Sequence, residues 1–144
     1  MAESRDVPEH VRRALLMRCH REIERSAVYD AEALYEGRLD EILFYPPNAG
    51  FTAEERAALE HIKGNGSLKS AFRKCFASGA ASCLFDLFCL LDGVSPLDEG
   101  EVELATPSPD AGDPALLHDE FLDTYWSWRE VRPEKSWKLD IADE

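Results

Sequence analysis

The chain has 144 residues, a length at which one globular domain buries roughly two-thirds of its unfolded surface without help from a metal or disulfide. Hydrophobic residues make up 44% and charged residues 31%, which excludes a disordered chain. The net charge of −13 argues against nucleic acid and anionic membranes as partners.

A first helix is expected from near Asp6, with Pro8 in its first turn. Val11, Leu15, Cys19, Ile23 and Ala27 recur at i+4 as an apolar stripe, with Arg12, Arg13, Arg18, Arg21 and Arg25 on the other faces. Met1–Val11 contains no apolar targeting run, so a cytoplasmic protein is expected. Asp30 reads as the start of a second helix to about Leu43, buried through Ala31, Leu34, Tyr35, Leu39 and Ile42 and stopped by Pro46-Pro47. The aromatics of the following loop, Phe44 and Tyr45, are expected to pin it to the core. Thr52, with Glu55 three residues on, forms a capping-box pattern that opens a third helix, which Gly64-Asn65-Gly66 ends.

Ser67 is expected to cap the longest helix, reaching about Asp92. It is apolar almost all round from Cys83 onward, and Leu84, Leu87, Phe88 and Leu91 are therefore expected in the core. Its run Cys75–Leu91 contains Asp86 and is short of the roughly 20 apolar residues of a membrane span, so it reads as a core helix. Residues 93–113 read as an acidic connecting segment. A last helix opens at Asp113-Pro114, presents Leu117, Phe121 and Tyr125, and ends before Pro133. Residues 102–105 and 136–141 alternate in polarity and are candidates for a small C-terminal β-hairpin. The expected architecture is one mainly α domain, 1–144: a bundle of about five helices around a central apolar helix.

Chemistry is thinly signposted. Cys19, Cys75, Cys83 and Cys89 form no CxxC pair and read as reduced, buried thiols. His20 and Glu24 share a helix face at i, i+4, and His61 with Glu60 or His118 with Glu22 or Glu120 are further pairs. No HExxH or second matching motif completes a metal site. No phosphate-binding glycine loop, nucleophile elbow or dinucleotide fingerprint is present. A small helical metal-dependent enzyme is thus the alternative reading, and no cofactor is expected.

The charge distribution carries more. Residues 1–97 hold fifteen acids and twelve bases, residues 98–144 fourteen acids and four bases, and no Lys or Arg lies between Lys74 and Arg129. Asp98, Glu99, Glu101, Glu103, Asp119, Glu120 and Asp123 are candidates to steer a basic protein, and Trp126 and Trp128 to anchor it, because Trp is enriched in binding hot spots. The bland alternatives are a solvated face partly paired with the arginines of the first helix, and aromatics that pack the C-terminal segment.

The stretch Leu68-Lys69-Ser70-Ala71-Phe72-Arg73-Lys74, the run Leu84-Phe85-Asp86-Leu87-Phe88 leading to Leu91-Asp92-Gly93, and His118-Asp119-Glu120-Phe121 with Tyr125-Trp126 resemble the small acidic helical immunity-type proteins of bacteria. The likeness is one of size, charge and texture over the whole chain. It implies stoichiometric inhibition of a basic protein such as a toxin, without catalysis and without nucleic-acid or membrane partners.

Overall fold

The structure, a computed structural model, describes residues 7–100, 102, 126–127 and 130–131. These residues are mainly helical and contain no strand.

Helix α1 (Glu9–Glu36) is a single helix of 28 residues where two were expected. Asp30 does not interrupt it. Ala27, Ala31 and Leu34 are buried in one stripe that crosses Asp30 at helical spacing, so packing on both sides outweighs the capping preference of one aspartate. The helix ends at Gly37, whose φ of 76° is the left-handed conformation that glycine adopts without strain. The Gly37 N–H donates to the Leu34 carbonyl at 3.2 Å and the Arg38 N–H to the Ala33 carbonyl at 2.8 Å, the paired bonds of a Schellman cap. A short 3-10 helix, Leu39–Glu41, follows.

Helix α2 (Ala53–Leu59) starts where its sequence says it should. The Thr52 hydroxyl accepts from the Glu55 N–H at 3.1 Å, and the Glu55 carboxylate accepts from the Thr52 N–H at 2.8 Å. The chain then turns to Gly64, whose N–H donates to the Tyr35 carbonyl at 2.9 Å and ties this turn to the end of α1.

Helix α3 (Gly66–Leu91) begins one residue before its expected cap. The Asn65 side-chain oxygen accepts from the Leu68 N–H at 3.0 Å, so Asn65 takes the role assigned to Ser67. Its end is as expected. Gly93 (φ 70°) donates to Leu90 at 3.2 Å and Val94 to Cys89 at 2.9 Å, a second Schellman cap.

The chain divides into two compact units. One holds Asp30–Ser70: the end of α1, the 3-10 helix, α2 and the first turn of α3. Here Ala31, Ala33, Leu34, Leu39 and Ile62 are buried. Lys69 Nζ lies 3.0 Å from Glu32 and 4.4 Å from the Tyr35 ring centroid, and Arg56 reaches Asp40 at 2.6 Å. Phe44 does not pin its loop to the core, since it is 72% exposed.

The other unit contains α1 through Tyr29 and α3 from Ala71 onward. The expected central role of α3 is not met. None of its residues is buried; Leu84, Phe88 and Leu91 are half-buried and Leu87 is 46% exposed. Val11 and Leu15 of the expected α1 stripe are exposed as well. Apolarity sets what a side chain would gain from a covering partner; it does not supply the partner. By length and composition α3 is apolar enough to cross a membrane, the one described helix that is.

Among the described residues there are three α-helices, not five. Of the last expected helix, Trp126, Ser127, Glu130 and Val131 are helical and exposed, and the rest lies outside the described residues. Of the expected hairpin only Val102 is described, and it belongs to no strand.

Candidate functional site

The end of α3 and the chain that follows it form an open cleft of about 790 Å³. The Schellman cap turns the backbone at Gly93, and a second bond to the Cys89 carbonyl, from the Ser95 N–H at 3.1 Å, holds the exit from the helix. The chain curls back through Pro96 and Leu97 to Gly100, where φ is 73°. Leu90, Leu91, Leu97 and Val102 line the cleft together with Asp92, Ser95 and the backbone at Gly93 and Gly100. Val94, 76% exposed, stands beside it.

The surroundings are acidic. Asp92, Asp98 and Glu99 are exposed at this end of α3, and Asp86 is exposed on the helix. None of the four pairs with a described cation. The α1 arginines that were a possible internal counter-charge are in part already engaged. Glu22 accepts from both Arg18 and Arg25 at 2.6 Å. These exposed pairs contribute little stability, but they leave Arg18 and Arg25 committed within their own helix.

Of the residues singled out in the sequence, Asp98 and Glu99 lie exposed beside the cleft and Trp126 is 41% exposed. Glu101, Glu103, Asp119, Glu120, Asp123 and Trp128 lie outside the described residues. The cleft itself was not expected, because residues 93–113 read as an acidic connecting segment. Its signal was present: Val94, Pro96 and Leu97 follow a helix stop and interrupt a run of acids.

Metal chemistry finds no assembled ligand set among the described residues. His20, Glu24, Glu60 and His61 are all exposed, and Glu22 is held by its two arginines. The thiols of Cys19, Cys75, Cys83 and Cys89 are free, but Cys75 and Cys83 are exposed and Cys19 and Cys89 half-buried, so the expectation of buried thiols is corrected. The helix that carries three of them is not enclosed.

No family model, no curated protein and no solved structure matches this chain.

Proposed function

We propose that the protein is a non-enzymatic binding module that docks on a basic protein, as an immunity-type inhibitor docks on its toxin. One observation carries the reading: between Lys74 and Arg129 the sequence has no base, and the described part of that stretch exposes unpaired acids next to apolar side chains. Exposed charges of one sign raise the rate of encounter with an opposite partner, and apolar contact slows its departure. The acids at 98–123 would steer, Trp126 and Trp128 would anchor, and no cofactor is needed. The finer architecture that goes with this reading is a five-helix bundle completed by the C-terminal segment.

The test is capture of the partner from the native host, followed by binding kinetics at two salt concentrations. A basic partner is expected. Neutralising Asp98, Glu99, Glu101 and Glu103 together should lower the on-rate more than it raises the off-rate, and Trp126→Ala or Trp128→Ala should raise the off-rate. An on-rate that ignores both salt and the four-acid change would remove the reading's physical support.

A further inference from the structure

We infer that the first half of α1, residues 10–21, docks on an anionic lipid surface and lies along it as an interfacial helix. The inference goes beyond the proposed function, which concerns the acidic half of the chain, and does not depend on it.

The net charge of −13 opposes an anionic surface only as an average. Residues 10–21 hold Arg12, Arg13, Arg18 and Arg21 and no acid. At about 3.6 residues per turn, Val11, Leu15, Leu16 and Cys19 gather on one side of the helix. Arg13, Arg18 and Arg21 fall on the other side, with His10 and His20. Arg12 alone falls among the apolar residues, and its long stem lets the guanidinium reach out to headgroups. An apolar side flanked by cations is the pattern of helices that lie in the plane of a membrane interface.

The structure leaves this pattern uncovered. Farther along α1 the same apolar line is closed, with Cys19 and Ile23 half-buried and Ala27 and Leu34 buried. At the start it is open, and Val11, Leu15 and Leu16 are 44%, 39% and 45% exposed. Every residue from Glu9 to Arg18 is exposed, so a plane can approach the helix along its length. Arg18 is tied to Glu22, whereas Arg13 and Arg21 have no partner among the described residues.

Shape separates a lipid surface from an acidic protein. The hollow at this place is open, about 370 Å³, and its described lining comes from α1 alone, with Leu16 and Met17 between the cations. One helix gives no opposing wall to grip a protein's anchor side chain, but acyl chains fill any outline. Helix α3, although apolar enough to cross a membrane, exposes Asp86 on its surface and carries no base after Lys74, so it offers nothing to anionic headgroups. Because the rest of the chain is acidic, attraction to such a surface has to come from α1.

The test is flotation of the full chain with vesicles of phosphatidylcholine mixed with phosphatidylglycerol, with pure phosphatidylcholine vesicles as the control. Flotation with the mixed vesicles alone is expected, and it should weaken as salt rises. Arg13→Gln with Arg21→Gln should lower the partition coefficient roughly tenfold or more. Leu15→Ser with Leu16→Ser should lower it by roughly as much, and both positions are exposed, so the unfolding midpoint should hold. Hydrogen exchange should show residues 10–21 protected on the mixed vesicles. Absence of flotation, equal flotation with pure phosphatidylcholine, unchanged flotation of either variant, or protection confined to α3 would each overturn the inference. So would protection of residues 10–21 by an acidic leucine-containing peptide without any flotation, which would assign the surface to an acidic protein.

Discussion

Among the described residues, five of the six buried hydrophobic side chains lie within Asp30–Ser70, whereas α3 carries a single charged residue between Cys75 and Leu91 and buries nothing. The more apolar region is the less covered one. In Asp30–Ser70 the chain reverses several times within a short length, through Gly37, the 3-10 helix, α2 and Gly64. Ala31 and Ala33 are small enough to let neighbouring backbone come close, and the Gly64–Tyr35 bond records such a return. From Ala71 to Leu91 the chain is one helix, and a single helix cannot cover itself.

The largest effect expected from this comparison is on the core of Asp30–Ser70. Leu34→Ala and Ile62→Ala should each cost about 2–5 kcal/mol in denaturant unfolding, since both side chains are buried. The same truncation in α3 should behave differently. Leu87 is 46% exposed, so Leu87→Ala should cost less than about 1 kcal/mol, where a central-helix role would put it in the range of Leu34. If Leu87→Ala destabilises as much as Leu34→Ala, α3 is covered in solution and the contrast between the regions collapses.

A smaller effect belongs to α2. Thr52→Ala removes the acceptor for the Glu55 N–H and half of the capping box, and should cost about 1 kcal/mol. An unchanged unfolding midpoint would show that this short helix does not contribute to the cooperative unit.

Thiol reactivity sharpens the comparison without changing stability. Cys75 and Cys83 should react with a chromogenic disulfide in the folded protein ahead of Cys19 and Cys89, because only the first two are exposed. Site-by-site mass spectrometry reads the order, and a slow Cys83 would place a cover over the middle of α3.

The smallest effect is at Asp30, within α1. Burial raises its carboxyl above the ordinary value of 3.8. The ionised form is therefore disfavoured by folding, so it detracts from stability above the folded pKa, and the penalty vanishes as pH falls below 3.8. Asp30→Asn should raise the unfolding midpoint slightly near neutral pH and leave it unchanged in acid. A loss of stability at neutral pH would show that the carboxylate is held by a partner instead.

The helices themselves were legible because their signals are local. Thr52 and Glu55 announce α2, and Asp92-Gly93 announces the end of α3, through bonds made within a few residues. The join in α1 was not legible. Asp30 is a good cap in isolation, and only the burial of Ala27, Ala31 and Leu34 on one continuous face overrides it. The acidic half of the candidate site, Asp98 and Glu99, could be read from composition, whereas its walls could not. Leu90, Leu91 and Leu97 become one cleft only when the chain curls back after Gly93.

By itself the sequence determined the helical class, the caps at Thr52 and Gly93 and the run of acids without a base between Lys74 and Arg129, all of which depend on near neighbours or on simple counting. The tertiary structure decided which apolar stripe is covered. Burial depends on what returns to lie against a face, and that is a property of turns such as Gly37 and Gly64 acting over tens of residues, not of the apolarity of the face.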